Sequence, residues 1–211
     1  MDHYPHTIRT WNKLADLYQE KFMDLDLYND TYDLFCDLVT AKNASVLEIA
    51  CGPGNITRYL LAKRPDFNIE ATDVSPAMVE LAQQNVPAAV CRVMDCRDTG
   101  KLTSTYDAIV CGFCMPYLTK EDTIQLLADC AAILRKNGIL YFSTMEDLYE
   151  NSKYETSSNG EHTLFIYYHE EAYLRDTLEQ NGCGIVQVER KIYPKPDGSS
   201  STHMIIIARK N

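Results

Sequence analysis

The residues of this 211-residue chain whose types and spacing could do chemistry gather in one stretch, Val46-Leu-Glu-Ile-Ala-Cys-Gly-Pro-Gly-Asn55. An apolar run ends in a turn built on the small residues Ala50, Gly52 and Gly54, with Cys51 between the first two. Residues this small let a ligand lie directly against backbone, and in open α/β folds the ligand site is at this carboxyl edge of the strands. A second run, Asn68-Ile-Glu-Ala-Thr72, delivers Asp73 to the same edge, 19 residues beyond Gly54. A carboxylate at that distance is placed to accept hydrogen bonds from ribose hydroxyls. The ligand these features describe carries a nucleoside.

The details of the turn narrow the ligand further. A dinucleotide fingerprint, Gly-x-Gly-x-x-Gly, would need glycine at positions 50 and 55, where this chain has Ala50 and Asn55. Pro53, in the middle of the turn, has no N–H to offer a phosphate oxygen. Glu48, just before the turn, adds negative charge, which suits a cationic ligand better than an anionic one.

Elements must position these residues, and the order of patterns supplies them. Helical spacing joins Trp11, Leu14, Ala15, Tyr18 and Phe22, and again Tyr28, Tyr32, Phe35 and Val39. From Ser45 short apolar runs alternate with helical stretches, the pattern of a parallel sheet. Strands are expected at 46–49, 69–72, 88–94, 108–112 and 139–143. Ser75 with Pro76 opens one helix and Thr119 another, which Asn137-Gly138 is expected to close. Beyond Ser143 the alternation stops in a polar, aromatic stretch with a turn signal at Ser158-Asn159-Gly160. A strand at 163–168 and a helix at 170–180 follow, then strands at 185–191 and 203–209 whose short connection requires antiparallel pairing.

Composition excludes several classes. Hydrophobic residues are 45% and charged residues 24%, ordinary for a globular domain, so disorder and fibrous structure are out. Twenty basic against thirty acidic residues leave a net charge of −10, which repels nucleic-acid phosphates. Met1 to Thr10 is polar, unlike a signal peptide, and the longest apolar run, Met204 to Ala208, is far too short to cross a bilayer. The eight cysteines sit mostly in apolar segments, as reduced core residues of a cytoplasmic protein do. Cys111 and Cys114 have CxxC spacing, but no second pair or paired histidines accompany them, so no metal site is expected.

On these residues the sequence resembles the class I S-adenosylmethionine-dependent methyltransferases of the small-molecule type. The first motif of that family resembles Glu48 with Ala50, Gly52 and Gly54, and its ribose-binding acid resembles Asp73. Its adenine-contacting acid resembles Asp95 in Met94-Asp-Cys-Arg-Asp98, and its fourth motif resembles Tyr106 to Leu118. The segment Leu134-Arg-Lys-Asn-Gly-Ile-Leu140 resembles the family's post-motif. The main departure is Ala50 in place of the motif's first glycine.

The resemblance implies an α/β fold, a Rossmann-like doubly wound, mostly parallel sheet of seven strands in the order 3-2-1-4-5-7-6, with strand 7 antiparallel and an N-terminal helical cap. It implies one domain over 1–211, divided into the cap (1–43), the cofactor core (44–144), an insertion or lid (145–168) and a C-terminal helix with the antiparallel pair (169–211). The implied cofactor is S-adenosylmethionine, held by Tyr18, Glu48, Ala50, Cys51, Gly52, Gly54, Asp73, Val74, Met78, Asp95, Cys96, Cys111 and Gly112. The implied reaction is in-line transfer of a methyl group to a small-molecule acceptor, with no nucleic-acid or membrane partner. If the acceptor must lose a proton, Tyr117 and His169 are the side chains expected to take it. Alternatives are a binder that holds the cofactor without transfer, and an NAD-dependent oxidoreductase, which Ala50, Pro53 and Asn55 disfavour. A nucleic-acid methyltransferase would carry Asn/Asp-Pro-Pro-Tyr/Phe where this chain has Cys114-Met-Pro-Tyr117.

Overall fold

The structure, a computed structural model, describes residues 3–156, 163–195 and 197–211. The turn expected at Ser158-Asn159-Gly160 lies outside the described residues. The chain opens with three helices, α1 (Tyr4–Lys13), α2 (Ala15–Phe22) and α3 (Asn29–Leu38). An alternating series follows: β1 (Ser45–Ile49), α4 (Asn55–Lys63), β2 (Asn68–Asp73), α5 (Pro76–Asn85), β3 (Val90–Val93), β4 (Tyr106–Cys111), α6 (Lys120–Ile133) and β5 (Leu134–Glu146). The remainder is β6 (Lys153–Thr156), β7 (Thr163–Ile166), α7 (Glu171–Gln180), β8 (Cys183–Pro194) and β9 (Ser200–Lys210).

Seven strands form one sheet in the order β3-β2-β1-β4-β5-β9-β8. The first five run parallel, and β9 is antiparallel to both β5 and β8, as the resemblance implies. One apolar cluster unites Leu47, Ile109 and Phe142 with residues of α6 and α7 on one face; another unites Val46, Val110 and Tyr141 with residues of α3 and α4 on the other. Strands covered on both faces read as nearly continuous apolar runs, which is why the central ones stand out in the sequence.

Four local departures have identifiable causes. The first expected helix is two helices, broken at Leu14 (φ −100°, ψ 10°), and it begins earlier, at Tyr4, with Pro5 in its first turn where the missing N–H costs nothing. Helix α6 ends at Ile133 rather than at Asn137-Gly138, because Leu134 already pairs with Tyr106 of β4. Asn137 (φ 63°) then turns the chain before the ladder resumes at Ile139 opposite Ala108. Strand β3 is four residues long, so Asp95 stands beyond its end and caps the following 3₁₀ turn, accepting the Arg97 N–H at 2.9 Å. Lastly, Thr163–Ile166 does not join the main sheet but pairs with Lys153–Thr156 in a separate hairpin. That hairpin is tied to the end of the sheet by Tyr167 N–H to Pro116 O (2.8 Å) and His169 N–H to Met145 O (3.0 Å).

Candidate active site

The backbone of the glycine turn is held in the left-handed region at three places, Ala50 (φ 57°), Gly52 (φ 54°) and Gly54 (φ 87°). Glycine enters that region freely, whereas an L side chain costs about 1–2 kcal/mol, so Ala50 carries strain at the head of the turn. Gly54 is needed for packing as well: a Cβ there would stand 3.0 Å from Val86 Cγ2, pushing α5 away from the turn. Gly52 instead faces Tyr18, whose Cε1 would lie 3.5 Å from an added Cβ.

Asp73 fastens the turn to the tip of β2. Its Oδ2 accepts the Gly52 N–H at 3.0 Å and its Oδ1 the Ser75 N–H at 2.8 Å. Burial raises its pKa while the Ser75, Gly52 and Val74 amides oppose the rise. Two oxygens offer about four acceptor positions, so two protein donors leave room for ribose hydroxyls. Ser75 also caps α5, accepting the Met78 N–H at 3.3 Å. Thus one carboxylate shapes the turn and also lines the cavity beside it.

Glu48 lies beneath the turn with no exposure. Its Oε2 accepts from Thr57 Oγ1 at 2.5 Å, while its Oε1 is buried without a partner among the described residues. Burial pushes its pKa up to about 8, with the Thr57 hydrogen bond opposing the rise and the Asp73 charge adding to it. A buried carboxyl oxygen with no donor is a standing cost that an approaching cation would relieve.

Above this edge is a cavity of about 600 Å³, counting the open solvent at its mouth. Of the expected site residues it is lined by Tyr18, Ala50, Gly52, Asp73, Val74, Met78, Gly112 and Tyr117. Phe113, Cys114 and the α1 residues Tyr4, Thr7, Ile8 and Trp11 complete it. The α1 residues form a stripe at spacings of three and four, the signal that would have found them despite the polar appearance of the segment. Trp11 packs edge-on against Tyr18 (5.3 Å) and Tyr117 (5.5 Å), and its buried Nε1–H has no acceptor among the described residues. Asn12 docks α1 on the cofactor edge through Ser75 Oγ (3.0 Å) and the Ala77 N–H (3.1 Å).

The remaining expected residues lie elsewhere. Cys51, Gly54, Cys96 and Cys111 stand behind the lining, and Glu48 reaches the site only through the turn. Asp95 is engaged by Arg97, whose Nη2 lies 2.8 Å from Oδ2, and the Arg97 guanidinium covers the Tyr4 ring at 4.0 Å. Burial alone would raise the Asp95 pKa, but the Arg97 hydrogen bonds outweigh it and hold it below the usual carboxylate range. Tyr117 lines the cavity, and burial pushes its hydroxyl pKa well up.

His169 is the clearest correction. It is fully buried away from the cavity, with Nε2 donating to Met115 O at 2.8 Å and Nδ1 hydrogen-bonded to the Tyr173 hydroxyl. Burial, with a contribution from Lys120, pushes its pKa down to about 4 against the opposing Met115 hydrogen bond. It is a neutral strut between the segment that follows β7 and the turn that carries Tyr117.

A doubly wound sheet of this order, with a glycine turn and a carboxylate at the carboxyl edge of its strands, matches the Rossmann-like methyltransferase fold. Residues 46–138 match the family model described as a methyltransferase domain. A malonyl-[acyl-carrier protein] O-methyltransferase of Halalkalibacterium halodurans is 33% identical over 106 residues, which cover 47% of this chain and 38% of that protein. A tRNA N(3)-methylcytidine methyltransferase of Schizosaccharomyces pombe is 21% identical over 203 residues, covering 86% of this chain and 82% of that one. A solved structure of magnesium protoporphyrin IX methyltransferase from Synechocystis PCC 6803, with bound SAH, superposes with a TM-score of 0.75 at 17% identity, covering 100% of both chains. Residues 46–138, which carry the glycine turn and Asp73, are thus similar to a methyltransferase domain. The chain spans well under half the length of the Halalkalibacterium relative.

Proposed function

We propose that the chain binds S-adenosylmethionine at this edge and transfers its methyl group to a small-molecule acceptor. The observation that carries this reading is the charge of the lining: among the described residues, Asp73 is its one carboxylate, and it contains no lysine, arginine or histidine. A pyrophosphate would meet no countercharge there, whereas an adenosyl sulfonium would meet a carboxylate and, beneath the turn, the unpartnered oxygen of Glu48. The unpartnered Trp11 Nε1–H offers a donor to a ligand oxygen in the same cavity.

When bound, the cofactor supplies an electrophilic methyl group, so alignment and exclusion of water are the tasks left to the protein. Asp73 and the turn fix the nucleoside, and α1, which supplies Tyr4, Thr7, Ile8 and Trp11 to the lining, covers the cavity. The rings of Trp11, Tyr18, Phe113 and Tyr117 attract the positive sulfonium, but that charge falls during transfer, so their attraction serves binding more than rate. The net charge of −10 favours a small acceptor over tRNA. Calorimetry with S-adenosylmethionine, S-adenosylhomocysteine and NAD tests the cofactor, and micromolar binding of the first two with none of the third is expected. A screen of amines, phenols, thiols and carboxylic acids, read by release of S-adenosylhomocysteine, tests transfer. Binding of NAD alone, or no turnover across the screen, would overturn the respective half of the proposal.

A further inference from the structure

Phe113 stands two residues beyond β4, on the sheet edge that carries the cavity. Among the described residues, the non-glycine positions with positive φ are Asn43, Ala50, Asn137 and Phe113 (φ 52°), and Phe113 alone is bulky. A bulky side chain in that region is an outlier, and such strain persists where the surroundings over-determine it, commonly at ligand clamps. Three contacts do so here. The Phe113 N–H donates to Ser143 Oγ at 3.0 Å, and the ring packs on Tyr28 (5.2 Å between centroids) and edge-on against His203 (4.8 Å). All three partners are buried, whereas Phe113 is half-buried and lines the cavity. Its ring is therefore a fixed wall, with core behind it and the cavity in front.

The wall closes one end of the site. The strand order β2-β1-β4 puts Asp73 at the tip of β2, the glycine turn after β1 and Phe113 beyond β4, so the turn separates the Asp73 end from the Phe113 end. Beside Phe113 the lining continues through Cys114 and Tyr117, and Trp11 of α1 packs on Tyr117. Trp11, Phe113 and Tyr117 are each half-buried, so part of each ring is open to an occupant of the cavity. The lining offers no lysine, arginine or histidine, and its one carboxylate, Asp73, is at the other end. An anion placed against this wall would lose its water with no protein cation to replace it.

We propose that Phe113 determines acceptor specificity: the acceptor is an uncharged, planar ring compound lying against Phe113, Tyr117 and Trp11, and the Phe113 ring limits its length. The inference rests on the cofactor reading above and deepens it by naming what occupies the end of the cavity opposite Asp73. The three rings offer a planar occupant offset and edge-on contacts, and the apolar wall rewards the apolar area it covers. Phe113→Ala would lengthen the site toward Tyr28 and His203. Burial, with a contribution from Lys195 and against Glu155, pushes the His203 pKa down to about 4, so the lengthened end stays uncharged.

The test uses the full chain saturated with S-adenosylhomocysteine, in mildly alkaline buffer where quinoline and acridine are uncharged, and titrates quinoline, quinoline-3-carboxylate and acridine by calorimetry. The parent chain is expected to bind quinoline, and to bind its carboxylate at least about tenfold more weakly, the penalty for stripping water from an unpaired charge. The ratio of acridine to quinoline affinity is expected to rise about tenfold or more in Phe113→Ala, from the extra ring that the lengthened site can bury. Phe113→Leu, which keeps apolar packing on Tyr28 and His203, should move that ratio the same way by less. Binding of S-adenosylhomocysteine shows that a variant is folded, and if Phe113→Ala does not hold it, Phe113→Leu decides. The proposal is overturned if the parent chain does not bind quinoline, if it binds the carboxylate as tightly, or if a folded variant leaves the acridine ratio unmoved. Failure of the parent chain to bind S-adenosylhomocysteine would refute the cofactor reading instead.

Discussion

Replacing Glu48 by glutamine should stabilise the empty protein and weaken its hold on a cationic cofactor, and the two effects have opposite pH dependence. An unfolded glutamate titrates near 4.5, whereas burial holds Glu48 near 8 in the fold. Between those values the unfolded chain has lost a proton that the folded chain retains. A group with its folded pKa raised therefore contributes stability fully present below 4.5 and lost as pH rises through 8. Each pH unit of that window is worth about 1.4 kcal/mol, so the loss approaches ~3 kcal/mol at pH 7 and ~5 kcal/mol at pH 8 as upper bounds. The Glu48→Gln side chain would keep an acceptor for the Thr57 hydroxyl and has no charge to bury, so the variant's stability should be flat across the window. In a chain of this size 1 kcal/mol moves Tm by roughly 2–4 °C. Thermal unfolding of both proteins from pH 5 to 8 should show nearly equal Tm at the acid end and the variant ahead by roughly 10 °C at pH 8. Titration with S-adenosylmethionine should show the reverse: parent affinity rising up to about tenfold per pH unit between 6 and 8, and variant affinity lower and flat. A Tm gap that does not widen with pH would refute the buried, proton-retaining Glu48, and equal pH slopes of affinity would refute its approach to the cation.

Three further outcomes follow from the same geometry. Asp73→Asn can accept only one of the two amides that Gly52 and Ser75 offer, so it should lower Tm and weaken S-adenosylhomocysteine about 10–100-fold by calorimetry, the worth of a hydrogen bond to a charged group. Ala50→Gly removes an L side chain from φ 57° and should raise stability by about 1 kcal/mol in urea unfolding, with cofactor affinity kept. His169→Phe breaks the bonds to Met115 and Tyr173 and should cost about 2 kcal/mol while leaving S-adenosylhomocysteine affinity unchanged. Because its pKa is depressed from 6.5 to about 4, His169 contributes stability present above 6.5 and lost as pH falls through 4. The variant should therefore lose less stability than the parent between pH 6.5 and 4 in acid titrations.

The parts of the fold that were legible are those where one local signal suffices. Strands β1, β4 and β5 are buried on both faces and show as apolar runs, and Ser75 and Thr119 cap helices where their side chains can reach an amide two or three residues on. Asp73 was legible because the length of a strand-helix-strand unit is nearly constant, so a spacing in sequence becomes a position on an edge. Helix α1 was not, since its stripe of Tyr4, Thr7, Ile8 and Trp11 is interrupted by charged and polar neighbours and is shared between the cavity and the core. Nor was the end of α6, where a strand partner, Tyr106, captures Leu134 before the local stop at Asn137-Gly138 is reached.

The two histidines show most sharply what sequence position leaves open. His169 follows β7 and His203 lies within β9; both are buried, and both are held near pKa 4. What separates them is the neighbour brought in from a distant segment. Met115 O and Tyr173 occupy His169 on the side away from the cavity, whereas Tyr28, 175 residues from His203, holds it beside Phe113 on the cavity wall. A side chain's type and strand position bound the chemistry it can do; the groups that fix its tautomer and face decide whether that chemistry is available to a ligand.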